Sequence, residues 1–268
     1  MKKQYFLCSD IHSDFKALQE ALKEHQFDID NPQHILVVAG DIFDRGSESV
    51  ALYEFLKDLC DKNRAIVLQG NHHQMFIDFL ENKNLHLCSF NYVRNGMKHT
   101  VADFLHRTEP WDTYIILKYS DQEQHDMTNE DWNREWAGFV ERSAKEINDE
   151  YPELLPWLKS LPHYLELKNT IVTHGMIDCH SEDWHNPDIK WEDCHWAKPH
   201  EAAFMKNSTG KHVYLGHIDS ETIREVWNEP KGNYELYTRQ SGDVTYLDSC
   251  TIYTHKVNMV VVEDEEIE

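Results

Sequence analysis

Three short runs rich in β-branched and aromatic residues, at 5–9, 34–39 and 65–69, are separated by two stretches of helical periodicity. The first stretch, 14–25, repeats apolar residues at Phe15, Leu18 and Leu22, with Ser13 placed to cap its first turn. The second, 47–60, offers Val50, Leu52, Phe55, Leu56 and Leu59 for a buried stripe. Strand, helix, strand, helix, strand in so short a span restricts the topology severely, because each helix carries the chain back across the sheet to a parallel neighbour. The expected class is α/β, with central mixed β-sheets flanked by helices.

Further buried strands are expected at 170–173 and 212–215, and the runs 244–247 and 257–262 read as antiparallel strands closing the sheet. The middle, about 96–161, has helical patterns near 101–106 and 131–147 and one strand-like run at 114–117. A helical insertion covering one end of the sheet is the expectation there. No internal repeat or low-complexity linker divides the chain, so all 268 residues are expected to form a single domain with that insertion inside it.

The formal net charge of -22 disfavours a partner held through a phosphate backbone, which needs clustered Lys and Arg. Long nucleic acid is not expected as a partner on that ground. No apolar stretch reaches the roughly 20 residues of a membrane-spanning helix, and Met1-Lys2-Lys3 leads straight into a strand-like run, so a cytoplasmic protein is expected. The six cysteines are scattered without a Cys-x-x-Cys pair, as reduced and mostly buried thiols would be.

Ligands of open α/β sheets bind outside the carboxyl ends of the strands, which makes the residues ending each run the place to look for chemistry. The five runs end in Asp10-Ile11-His12, Gly40-Asp41, Gly70-Asn71-His72, His174-Gly175 and Gly216-His217. Asp, His and Asn are the mixed oxygen and nitrogen donors that suit Mn, Fe or Zn. A single His or Asp at a strand end is ordinarily a turn or cap residue; five such ends together point to a metal pair. Glycines 40, 70 and 216 precede candidate ligands, where a missing side chain lets the backbone turn sharply.

These motifs, with Gly40-Asp41-Ile42-Phe43-Asp44-Arg45-Gly46 the most specific, resemble those of the calcineurin-like metallophosphoesterases. Within them the chain looks like the PPP-type serine/threonine protein phosphatases of the small bacterial and phage kind. The resemblance implies a first metal held by Asp10, His12 and Asp41, and a second held by Asp41, Asn71, His174 and His217. Asp41 would bridge two divalent ions, most simply Mn²⁺ with Fe or Zn as alternatives, and a metal-bridging hydroxide would attack phosphorus. It further implies that His72 protonates the leaving oxygen, that Asp44 orients His72, and that Arg45 grips phosphate oxygens, unless Arg45 simply pairs with Asp44.

The chain also departs from the family pattern. Ser13 stands where glycine is usual, His73 where an acid usually follows Asn-His, Met176 where a small residue is frequent, and Ile218 where threonine is usual. Lys198, two residues after Trp196, stands where a second phosphate-clamping arginine is expected; it is either a weaker clamp or a surface residue. Cys179, His180, His185, Cys194 and His195 invite a zinc reading of 174–200, but their spacings fit no standard structural site, and a loop lined by Trp184, Trp191 and Trp196 is the simpler expectation.

The expected activity is hydrolysis of phosphomonoesters, on a phosphorylated protein or a small phosphorylated metabolite. The alternative is a dinucleoside polyphosphate hydrolase of the diadenosine tetraphosphate type, which shares the scaffold but typically lacks an acid before Arg-Gly; this chain keeps Asp44. A fold retained for binding without catalysis is disfavoured by the complete ligand set together with His72 and Asp44.

Overall fold

A computed structural model describes residues 2–177, 185 and 190–267. The chain opens β1 (Lys3–Cys8), α1 (Phe15–Glu24), β2 (His34–Val38), α2 (Ser49–Asp61), β3 (Ala65–Val67). A run of helices follows: α3 (Asn71–Leu80), α4 (Leu85–Arg94), α5 (Met97–Phe104), α6 (Pro110–Lys118), α7 (Asp121–Asp126), α8 (Asn129–Glu150) and α9 (Leu154–Ser160). Then come β4 (Tyr164–Glu166), β5 (Thr170–Thr173), α10 (Trp191–Cys194), α11 (Pro199–Ala203), β6 (His212–Leu215), α12 (Ser220–Val226), β7 (Tyr237–Thr238), β8 (Val244–Tyr246), α13 (Thr251–Thr254) and β9 (Val260–Asp264). No described helix is long and apolar enough to cross a membrane.

The strands form two sheets, ordered β3-β2-β1-β9 and β4-β5-β6-β8-β7. The period-2 alternation of side chains explains how they pack. From β1, Tyr5 and Leu7 enter a core with Val172 of the second sheet and Leu247 just past β8, while Phe6 and Cys8 enter the core beneath α1 and α2. On the far side, Ile171, Val213, Leu215, Val244 and Tyr246 pack with Ala202, Ala203 and Ile223 of α11 and α12. The result is helices, sheet, sheet, helices, with three apolar layers between them.

Several local expectations are corrected. Asp14 caps α1, its Oδ1 accepting from the Ala17 amide at 3.0 Å, whereas Ser13 Oγ hydrogen-bonds Ser49 Oγ at 2.8 Å. The strand-like run 114–117 lies in α6, which Pro110 starts with its fixed φ. β8 runs parallel to β6 and antiparallel only to β7, while β9 pairs antiparallel with β1 as anticipated. Parallel pairing of β1 with β2, β2 with β3, β5 with β6 and β6 with β8 gathers many carboxyl ends at one end of the sandwich.

Candidate metal centre

Each motif leaves its strand on an unusual backbone. Asp10, His12, Ser13, Asp41, Asp44, Arg45 and His217 all have φ between 47° and 74°. Non-glycine residues pay for that left-handed region, so a cluster of them at one end of the sheets marks a place where conformation is held against its local preference. Glycines make room: a Cβ at Gly40 would collide with the His174 imidazole, one at Gly70 with the Asp41 carboxylate, and one at Gly216 with Asp10.

The donors converge. Two groups offer ligand atoms all within 4.8 Å of one another: His12, Asp41 and His72, and Asp41, His174 and His217. Asp41 belongs to both. Its Oδ2 lies 3.2 Å from His174 Nε2 and 3.8 Å from His72 Nε2, and Asn71 Oδ1 is 2.8 Å from the same His174 nitrogen. Asp10 stands slightly apart, with Oδ1 3.9 Å from His12 Nε2 and Oδ2 accepting from the His217 amide at 2.9 Å. His12 Nδ1 donates to the Phe43 carbonyl at 2.9 Å and His174 Nδ1 to the Ala39 carbonyl at 2.8 Å. Those bonds fix the tautomers that turn Nε2 inward as a neutral ligand, the outer-shell support metal-binding histidines ordinarily have. The donor chemistry, the inward nitrogens and the glycine cradle fit a pair of divalent ions.

The electrostatics of these donors divide. Burial, then the neighbouring Arg45 guanidinium, hold His12 well below the usual imidazole range. Burial lowers His217 to about 3, helped by charge on His174. Burial opposes ionisation of Asp41, but His174 and His72 outweigh it and keep this carboxyl well below the usual range. Burial also pulls His174 down, yet Asp41 and Asp10 raise it to about 9, and burial lifts Asp10 to about 6 against the pull of His174. A cation held through His174 Nε2 would have to displace that proton, and its binding would then weaken as pH falls.

Beside these donors, His72 Nδ1 hydrogen-bonds Asp44 Oδ2 at 2.6 Å, and Asp44 Oδ1 accepts from Thr100 Oγ at 2.6 Å. Arg45 donates to His12 Nε2 at 2.9 Å and to His72 Nε2 at 3.3 Å rather than to Asp44. Lys198 is one residue beyond Ala197, whose backbone hydrogen-bonds His217, but its exposed ammonium turns to Glu201 at 3.4 Å. His73 is buried, its Nδ1 accepting from the Gly70 amide at 3.0 Å, which gives this departure a structural use. Cys179, His180 and Trp184 lie outside the described residues. His185 reaches Glu166 at 2.8 Å, and Trp196 stands half exposed, its ring 6.2 Å from that of His217.

Two residues escaped the sequence reading. Thr100 reaches Asp44 from α5 and carries no local signal. Asp248, buried and just past β8, ends a strand as the other candidates do; a census of strand ends carried past the fifth run finds it. Burial, then the charge of Asp10, raise its carboxyl well above the usual range.

The fold and centre define a class of proteins: an α/β sandwich whose strand ends gather nitrogen and oxygen donors for metal around an arginine and a carboxylate-bound histidine. The chain belongs to the calcineurin-like phosphoesterase family, whose pattern matches residues 4–245. It is 37% identical over 180 residues to Shewanella-like protein phosphatase 1 of Plasmodium berghei (strain Anka), a match spanning 63% of this chain and only 38% of that relative. Its fold is similar to a cold-active protein-tyrosine phosphatase of a psychrophilic Shewanella species, with TM-score 0.56 and 15% identity over 97% of this chain and 75% of that one. It is also similar to a protein provisionally assigned as a diadenosine tetraphosphatase, with TM-score 0.52 and 15% identity over 97% and 93% of the two chains.

Proposed function

We propose that the chain hydrolyses phosphomonoesters, as a phosphatase of phosphoserine and phosphothreonine in proteins, with two divalent ions, Mn²⁺ foremost, as cofactors. The observation that carries this reading is the His72–Asp44 pair, 2.6 Å apart, set beside the donor groups and under the Arg45 guanidinium. When bound, two ions held by Asp10, His12, Asp41, Asn71, His174 and His217 supply a deprotonated water and neutralise charge on the phosphate. Arg45, exposed and bonded to His12 and His72, would turn its planar fork from them to two phosphate oxygens. Once Arg45 has turned to the phosphate, His72 Nε2 would carry the proton for the departing alkoxide, with Asp44 fixing the ring through Nδ1. Lys198, its ammonium turned to Glu201, has no part in this reading.

An alkoxide leaving group needs that proton; the phosphate leaving group of a dinucleoside polyphosphate is already a weak base and does not. Steady-state kcat/KM for a phosphoserine peptide and for diadenosine tetraphosphate, with Mn²⁺, tests the assignment. The peptide is expected to be the better substrate, and Asp44→Asn to depress its turnover far more than that of the dinucleotide. A tenfold wild-type preference for the dinucleotide, roughly 1.4 kcal/mol, would replace the phosphatase reading with the polyphosphate hydrolase.

A further inference from the structure

The helical insertion bears on the acid pair through α5. The buried side chains of this helix are Met97, Thr100, Val101 and Phe104, and Thr100 is the one polar member of that face. Phe104, one turn further on, sets its ring edge-on to that of Phe43 at 5.6 Å, so the face lies on the loop that carries Asp44 and Arg45. A buried hydroxyl costs stability unless it is hydrogen-bonded, and in a helix it ordinarily bonds back to a carbonyl of the preceding turn. The Thr100 hydroxyl serves Asp44 twice: Oγ accepts from the Asp44 amide at 2.8 Å and donates to Asp44 Oδ1 at 2.6 Å. The carbonyl of Gly96, at the start of the same helix, accepts from the Arg45 amide at 3.2 Å.

These bonds hold an unfavourable turn. Asp44 and Arg45 are consecutive non-glycine residues at φ 74° and 69°, in the left-handed region that side chains disfavour. Both of their amides donate to α5, and Thr100 adds a hold on the carboxylate. With Oδ1 tied to Thr100, Oδ2 is left to His72 Nδ1 at 2.6 Å. The direction of that bond follows from Arg45. A guanidinium only donates, so His72 Nε2, 3.3 Å from it, accepts, and Nδ1 carries the hydrogen. Asp44 thus receives one hydrogen from Thr100 and one from His72, and the two together fix the rotation of its carboxyl group.

We propose that Thr100 is a positioning residue for the general acid: by holding Asp44 at amide and carboxylate together, it sets the angle at which His72 meets the leaving oxygen. The proposal rests on the phosphatase reading, since it gives a residue of the helical insertion control over the proton donor of that site. Thr100 acts only through Asp44. Valine has nearly the shape of threonine but would leave the Asp44 amide and Oδ1 without this partner, and the carboxyl group free to turn away from His72.

The test compares Thr100→Val, which removes the hydroxyl, with Thr100→Ser, which keeps it and loses a methyl. The first readout is the imidazole N–H region of the NMR spectrum of metal-free protein. His72 Nδ1–H is expected as a low-field signal slow to exchange with water, because the His72 and Asp44 side chains are only 3% and 0% exposed. Its absence in His72→Asn identifies it. The signal should shift or vanish in Thr100→Val and persist in Thr100→Ser. The second readout is kinetic, at equal Mn²⁺ content. Thr100→Val is expected to lower kcat for a phosphoserine peptide by about 10- to 100-fold, the cost of a misplaced catalytic group, with KM little changed. An aryl phosphate, whose leaving group needs no proton, should lose less, and Thr100→Ser should track the wild type on both substrates. If Thr100→Val does not fold, Thr100→Cys, whose thiol is a weaker donor, takes its place, with the same changes in smaller measure. A wild type without the low-field signal, a signal unchanged in the folded variant, or an equal kinetic loss on both substrates overturns the positioning role and leaves the phosphatase reading standing. A wild type that turns over neither substrate overturns that reading, while the metal-free spectrum still decides whether Thr100 holds His72 in place.

Discussion

Asp41 is the residue on which most of the centre depends, because it is common to both donor groups and its neighbours all lean on its charge. Asp41→Asn is expected to lose more bound metal than Asp10→Asn, measured by elemental analysis after equilibration with Mn²⁺; equal losses would deny the bridging role. His72 poses a sharper question, since its Nε2 is near enough to His12 and Asp41 to serve as a ligand and is also the atom assigned to carry the proton. If it is the acid, His72→Asn retains both ions and lowers kcat by about 10² to 10⁴ for alkyl phosphates, with a smaller loss for aryl phosphates. Loss of metal in that variant would make it a ligand instead, and an equal loss across leaving groups would make it a positioning residue. The candidate ligands were legible in the sequence because each lies within a few residues of its strand end, where local pattern and chemistry coincide. Thr100 was not, since its contact with Asp44 spans 56 positions and only the packing of α5 creates it.

Among the elements, the helices flanking the first sheet announce themselves by apolar spacing, whereas α6 is disguised. Its run Tyr114-Ile115-Ile116-Leu117 has strand composition, yet only Ile115 is buried, and Ile116 and Leu117 face outward. Tertiary contacts decide the matter. Glu135 of α8 accepts from Tyr114 at 2.6 Å, from Lys118 at 2.5 Å and from Tyr119 at 2.8 Å, and helical spacing sets Tyr114 and Lys118 on one face to meet it. Hydrogen bonds from Lys118, then from Tyr114, lower this carboxyl from 4.5 to about 2. A depressed folded pKa adds stability that is fully present above the ordinary carboxylate range and is lost as pH falls through about 2. Thermal melts of the wild type and Glu135→Gln should therefore differ at pH 7, by about 1 kcal/mol given the exposure of Lys118, and converge as the pH approaches 2. A gap that stays constant across that window would mean that the shape of the side chain matters and its charge does not.

At the scale of the whole molecule, the α/β class was legible from alternation, but the division into two sheets was not. A fully buried strand such as Thr170–Thr173 shows no polar face, so its sequence cannot say whether its neighbours belong to the same sheet or to one stacked upon it. That division would give the proposed metal pair a structural consequence. Asp10, His12, Asp41 and Asn71 follow strands of the first sheet, while His174 and His217 follow strands of the second. Ions held by all six, as proposed, would join the two sheets at the end where left-handed residues cluster. Such ions would favour the folded chain, and occupancy at 100 times Kd stabilises by about 2.7 kcal/mol per site, a rise of roughly 5–10 °C in Tm per site, or about 10–20 °C for the pair, in a domain of this size. Chelated protein is thus expected to melt lower by that order, and titration with Mn²⁺ to restore the Tm. His217→Ala, which removes a ligand of the second sheet alone, should blunt the rise more than a cost to the metal-free protein can explain. An unchanged melt on verified removal of metal would show that the sheets are held by their apolar layers without help from the centre.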